Sequence, residues 1–212
     1  MIDFSILADH MDKYLLGFGN TLKASLLALF FSFVLGVIVA VMRISPYKLL
    51  NWVGTVFVEF VRNIPLLLIA FIFFYGLRFN GFLAGTFALS IYTASFIAEA
   101  IRAGIQSVDK GQTEAARSSG LTYIQTMRYI ILPQAIKIVI PPLGNQFINL
   151  VKNSSILGVI AGLDLMYYGD TIAAKTYVTF DVYIFVAMFY LILTIPLSYF
   201  VRYLEWRLAK SY

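Results

Sequence analysis

Two stretches of the chain, Ala24 to Met42 and Val182 to Val201, run for 19 and 20 residues without one charged side chain. At 1.5 Å per residue, a helix of that length spans about 30 Å, the thickness of a bilayer's hydrocarbon core. Such a helix has no polar face to turn to water, so these segments belong in lipid. Composition agrees, with 60% of the 212 residues hydrophobic and only 13% charged. A soluble domain has about a quarter charged. The sequence therefore reads as one domain of an all-α integral membrane protein.

Five spans are expected, at about 22–42, 52–77, 81–98, 138–163 and 182–201, after a lead-in (residues 1–21) with the character of an interfacial helix. Along the first span Ala24, Ala28, Ser32, Gly36 and Ala40 recur every four residues, and along the third Thr86, Ser90, Ala94 and Ala98 do the same. Stripes of small residues let another helix backbone approach closely and favour pairing with a second subunit. The second span is less regular. Ile64 to Leu77 holds 14 uncharged residues, too few to cross, and extending it back to Trp52 takes in Glu59 and Arg62. Those two are spaced to pair on one helix face, and Pro65 should kink the helix. A charge at the bilayer centre costs about 2.5–3.5 kcal/mol on insertion scales, so embedded charges are functional candidates. Glu99 and Arg102 close the third span at the same spacing. The fourth span contains Pro141-Pro142 and is interrupted by Asn145, Gln146, Asn149, Lys152, Asn153, Ser154 and Ser155. A helix facing lipid would not tolerate these residues, so this one should face protein or a water-filled path. Asp164, Asp170, Lys175 and Asp181 come next, in what reads as an acidic loop.

An odd number of spans puts the two ends on opposite sides. One side collects Arg43, Lys48, Arg102, Lys110, Arg117, Arg128, Lys137, Arg202, Arg207 and Lys210; the other has Lys13, Lys23, Arg78 and Lys175. Because basic loops stay cytoplasmic, the C-terminus is expected inside and the N-terminus outside. The start of the chain, with Asp3, Asp9 and Asp12, lacks the basic opening of a cleaved signal peptide.

Little chemistry can be built from these residues. The single histidine, His10, lies outside the spans, and there is no cysteine. A metal site is therefore not expected, and a membrane-embedded enzyme is a poor reading. No G-x-x-x-x-G-K-[ST] loop is present to cradle phosphate, so the chain should not hydrolyse ATP itself. No basic cluster with interleaved aromatics suggests a nucleic-acid partner.

The longest segment mixing charge, glycine and capping signals is Glu114 to Pro133, EAARSSGLTYIQTMRYIILP, within an elbow covering 109–133. It reads as a short helix, a turn at Gly120 and a second short helix. Asp109 with Gln112, and Thr122 with Gln125, have the spacing of capping boxes. Gly120 falls where a helix end favours a left-handed residue, and Pro133 should stop the second helix.

The same stretch carries a resemblance. Glu114-Ala115-Ala116, three residues, Gly120, nine residues, Ile130, one residue and Leu132-Pro133 is similar to the EAA loop of ABC importer permeases. Gly111-Gln112, Gln134-Ala135, Pro141-Pro142-Leu143-Gly144-Asn145 and Leu150-Val151-Lys152 resemble the polar amino-acid permease subfamily, and the likeness runs from about Thr21 to Leu208. It implies a type I ABC importer permease: five transmembrane helices with a cytoplasmic coupling-helix elbow, in a bacterial-type cell membrane. The elbow would dock on a cytoplasmic ATP-binding cassette subunit through Glu114, Ala115, Ala116 and Gly120. ATP and Mg would bind that partner, and no cofactor would bind this chain. The other implied partners are a second permease subunit, identical or similar, and an extracytoplasmic amino-acid-binding protein.

The resemblance implies polar amino acids as the cargo, and polarity at membrane depth suggests which residues would line the path of such a zwitterion. Glu59 can accept from the ammonium. Lys152, or the hydroxyls of Ser154 and Ser155, can donate to the carboxylate. Thr93 and Asn153 would line the side-chain region. Two departures from the family pattern bear on this. Arg62-Asn63-Ile64-Pro65 stands where relatives usually have Arg-Gly-Thr-Pro, and Asn153 stands where they usually have an acid. The second makes a strongly cationic substrate a poorer fit, and both suit the non-binding half of a heterodimer. The alternative reading is an ion-gradient-driven secondary transporter or channel subunit with Glu59 and Glu99 as ion sites and the prolines marking broken helices.

Overall fold

The computed structural model describes residues 2–209; Lys210, counted above with the basic side, lies outside them. The described residues form helices and short connections, in the order α1 (Phe4–Asp9), α2 (Met11–Ile44), α3 (Lys48–Arg62), α4 (Leu66–Phe71), α5 (Gly81–Gln106), α6 (Lys110–Ser118), α7 (Tyr123–Thr126), α8 (Leu132–Asn153), α9 (Ile156–Val159), α10 (Leu165–Thr176) and α11 (Thr179–Ala209). Turns of π-helix come after α4 (Ile72–Gly76) and α7 (Met127–Ile131).

The bundle is built on α2 and α5, which run parallel. Both small-residue stripes are buried in this contact and its neighbours. A Cβ added at Gly36 would lie 2.6 Å from Ile97 and 3.1 Å from the Ala94 carbonyl, so only glycine allows the approach. One turn on, Ala40 and Ala98 share a cluster with Val39 and Val58; at the other end Ala28 meets Leu89 and Leu150. This corrects the expectation that the stripes serve a second subunit: they are used up inside the chain. Backbones packed this closely gain dispersion energy that bulkier side chains would prevent.

Helix α8 returns antiparallel to α5, with Val139 against Gly104 and Leu150 beside Leu89. Helix α11 covers α8, with Val201 over Gly144. The elbow thus sits at one end of the bundle. At the opposite end, α10 packs on the first turns of α2, where Leu165 and Tyr168 close on Gly17. The acidic segment 164–176 is therefore a helix rather than a loop. Asp164 caps it by accepting from the Tyr167 N–H at 3.0 Å, and Leu165, Gly169, Ile172 and Ala173 bury one face. Likewise residues 2–21 of the lead-in include the one-and-a-half turns of α1, capped by Asp3, and the start of α2.

Among the described residues, three helices are long and apolar enough to cross a membrane: Met11–Ile44, Gly81–Gln106 and Thr179–Leu208. A fourth crossing arises if Lys48–Arg62 and Leu66–Gly76 count as one span, but these meet at 103°. The expected kink at Pro65 is therefore a full break. Pro65 has no N–H to continue α3 and becomes the N-cap of α4, while the Asn63 side chain folds back on the Glu59 carbonyl at 2.6 Å. Helix α8 is long enough, with 22 residues, but its polar residues leave it less apolar than these spans. It ends at Asn153, ten residues short of the expected 163. The chain then passes through left-handed Ala161 and Leu163, at φ 54° and 57°, which no helix could continue.

Candidate functional site

The elbow folds from signals contained within a few residues. Asp109 caps α6, accepting from the Gly111 N–H at 2.7 Å. The reciprocal bond from Gln112 that would complete a capping box is not made; only the Gln112 N–H reaches back, to the Asp109 carbonyl. Gly120 has φ +86° and nothing within 4 Å of an added Cβ. It is required by backbone conformation alone. The Leu121 N–H then closes on the Ala116 carbonyl and the Gly120 N–H on that of Arg117, ending α6 as a left-handed glycine does. Thr122 and Gln125 form the second box completely: the Thr122 side chain takes the Gln125 N–H at 3.3 Å, and the Gln125 side chain takes the Thr122 N–H at 2.9 Å.

Pro133 does not stop the second helix. Helix α7 runs on through the π turn Met127–Ile131 into α8, and Pro133 lies in the first turn of α8. The wider turn bonds the Leu132 N–H to the Met127 carbonyl, five residues back, and a proline in a first turn lacks only a donor that would be unused. The elbow is thus rigidly continuous with a bundle helix.

On α6, Glu114 and Ala115 are exposed, Ala116 is buried and Gly120 is exposed. The outer face offers a carboxylate beside a small side chain; Ala116 anchors the helix on the bundle.

At the ends of α2 and α5 nearest the elbow lies a cluster that the sequence leaves in pieces. The Glu99 carboxylate pairs with Arg43 from α2 and with Arg102 from its own helix, at 2.6 Å for the latter; Arg62 of α3 comes to 4.0 Å and lies 5.1 Å over the Phe96 ring. Arg102 also bonds Gln106, and the Asn51 amide caps the Arg43 carbonyl. Arg62 therefore turns to Glu99 rather than Glu59, and no ion pair joins Glu59 to Arg62 among the described residues. Arg43, counted in sequence as a loop cation, is 8% exposed. The signal that points here is the embedded Glu99 with Arg102 three residues on; nothing local identifies Arg43 or Arg62 as partners.

The polar path residues are dispersed. Glu59 and Lys152 are exposed, Asn153 and Ser155 half-buried, and Thr93 and Ser154 buried. Ser154 donates to the Val151 carbonyl at 2.7 Å and lies within reach of the Tyr190 hydroxyl, which also approaches Thr21 and Asp164. The break after α8 is thereby tied to α2, α10 and α11. Among the described residues, no group of three or more metal-ligating side chains is assembled.

Comparison with known proteins agrees with this geometry. The family described as "Binding-protein-dependent transport system inner membrane component" matches residues 32–210. The chain is 68% identical, over the whole of both chains, to a probable glutamine ABC transporter permease protein, GlnM, of Bacillus subtilis (strain 168). It is 37% identical to the probable glutamine permease GlnP of the same organism, covering 90% of this chain and 91% of that one. Among solved structures, an amino acid ABC transporter crystallised with histidines superposes with a TM-score of 0.91 at 38% identity, over 98% of this chain and 99% of the other. A structure of the MetNI methionine ABC transporter in an inward-facing conformation shares the fold, with a TM-score of 0.72 at 22% identity.

Proposed function

From the premise that this chain belongs to the binding-protein-dependent transport system inner membrane component family, we propose that it forms the translocation path of an ATP-driven amino-acid importer and that glutamine is its cargo. It is a transport permease subunit, not an enzyme. The glutamine assignment is supported by the 68% identical relative and by Asn153, which leaves the path without an extra acid for a cationic side chain.

The observation that carries the reading is the elbow. An exposed helix with Glu114 and Ala115 outward, ended at a left-handed Gly120 and continuous with α8, is a stiff lever on the bundle. It docks on the ATP-binding cassette subunit through the exposed Glu114, Ala115 and Gly120, with the buried Ala116 of the expected set holding the helix on the bundle instead, and ATP with its magnesium binds that partner. A second permease and an extracytoplasmic binding protein complete the importer. The five-span topology, with the N-terminus outside and the elbow and C-terminus inside, is supported by the basic residues gathered at the elbow end. The path contains Glu59, Thr93, Lys152, Asn153, Ser154 and Ser155.

Because the chain has no cysteine, single thiols report contacts cleanly. Ala115→Cys should cross-link to the ATPase subunit in membranes, and Leu83→Cys, at the far end of α5, should not. Equal cross-linking of both to the ATPase would overturn the docking assignment. Glu99 held by three guanidinium groups makes a poor proton or sodium site, which disfavours the ion-driven alternative.

A further inference from the structure

Two cavities meet under the elbow. One, of about 480 Å³, has a polar wall made by Gln106, Lys110, Thr113 and Thr126. The other, of about 760 Å³, is an apolar furrow between α2, α5 and α8, with Val37, Ile101, Ile136 and Ile140 among its walls. They share Ile105, Tyr123 and Met127, so the furrow leads into the polar end.

Thr126 makes the polar end more than a surface dent. Its side chain is 1% exposed, and its Oγ1 has no hydrogen-bond partner among the described residues. A buried hydroxyl left unpaired is costly, and Thr126 lines the cavity. Lys110 adds an exposed ammonium. Of the acids near it in sequence, Asp109 is turned to its own helix, where it accepts from the Gly111 N–H, and Glu114, one turn on, makes no ion pair with Lys110 among the described residues. Gln106, also in the wall, accepts from Arg102 through its side-chain oxygen, so its amide N–H groups remain as donors. The polar end therefore offers hydroxyl, amide and ammonium donors together, and the furrow behind it is apolar at membrane depth.

We propose that this composite site binds one anionic phospholipid, with an acyl chain in the furrow and the phosphate at Lys110, Thr113 and Thr126. A furrow between membrane helices is filled either by lipid or by protein, and a cationic pocket at the cytoplasmic end of such helices suits an anionic headgroup. The lipid would wedge between α5 and the elbow, at the joint where movement of the elbow passes to the bundle. The inference rests on the proposed orientation, with the elbow end cytoplasmic, but not on the source of transport energy, so it stands or falls separately from that.

The test uses the whole importer in nanodiscs of mixed phosphatidylglycerol and phosphatidylcholine. One lipid at a time carries a photoactivatable group on its acyl chain, and labelled peptides are mapped. Labelling of segments 33–44 and 132–143 by phosphatidylglycerol should exceed that by phosphatidylcholine by about fivefold, the preference a single cation near the headgroup supplies. Thr126→Val, which keeps shape and removes the hydroxyl, combined with Lys110→Ala should erase the preference while membrane insertion stays at the wild-type level. Ile136→Trp should displace the label by filling the furrow. Equal labelling by both lipids in the wild type would overturn the proposal, as would an Ile136→Cys cross-link to the second permease showing that protein fills the furrow.

Discussion

Arg43, in the last turn of α2, pairs with Glu99 of α5 across 56 positions of sequence. That pair, with Arg102 and Arg62 beside it, ties three helices together at the end of the bundle from which the elbow projects. One carboxylate serves three cations, so the cluster is asymmetric: losing the acid is worse than losing any one base.

Glu99→Gln should therefore destabilise the subunit by about 3 kcal/mol, the lower end of the cost of breaking a buried ion pair by removing one partner. A double change, Arg43→Met with Glu99→Met, should recover part of that, because no isolated charge remains buried. Thermal unfolding of the purified complex checks both, and a double variant less stable than Glu99→Gln would contradict the asymmetry.

Gly36→Leu should separate α2 from α5, since even a Cβ there meets Ile97 at 2.6 Å. Overpacking of this kind costs about 1–3 kcal/mol, and the expected signs are lower expression and a lower melting temperature. Gly19→Ala, with nothing within 4 Å, is the matched control and should be neutral or slightly stabilising.

At Gly120 the demand is on the backbone alone. Gly120→Val should cost about 1–2 kcal/mol and disturb the elbow, because a β-branched residue resists φ +86°. Gly120→Asn, which tolerates the left-handed region, should restore much of the ATPase association. Insertion should be normal in both, and copurification with the ATPase is the readout. Equal association of the valine variant and wild type would remove Gly120 from the coupling surface.

Removing half of the second capping box should loosen the elbow's second arm. Thr122→Val deletes the hydroxyl that holds the Gln125 N–H, worth about 1 kcal/mol. Hydrogen exchange should quicken in Tyr123–Thr126 and stay unchanged in α5.

Glu59 is exposed on α3 and free of Arg62, as a substrate-contacting carboxylate would be. Glu59→Gln should lower the apparent affinity or rate of uptake while leaving insertion and ATPase copurification intact. An unchanged transport profile would make the residue structural.

How much of this is legible in the sequence depends on distance along the chain. The elbow is readable because Asp109, Gly120, Thr122 and Gln125 act within three or four residues of themselves. Pro133 misleads because a proline says only that its own N–H is missing, and the π turn before it has no sequence signature. The stripes announce close approach but not the partner; Gly36 meets Ile97 of the same chain, and a 61-residue separation leaves no local trace. Arg43 reads as a loop cation because α2 continues two residues beyond the charge-free run, into a contact only the fold supplies. Helix α10 is hidden by its acids, although Asp164 with Leu165, Gly169, Ile172 and Ala173 makes a capped apolar face.

The most direct test of the account is uptake by the reconstituted importer: this chain with its ATP-binding subunit, second permease and binding protein in liposomes, with ATP on the elbow side. Labelled glutamine should enter only when ATP and the binding protein are both present, with no response to an imposed ion gradient. Uptake that ignores ATP and tracks the gradient would contradict the account and return Glu59 and Glu99 to the role of ion-coupling residues.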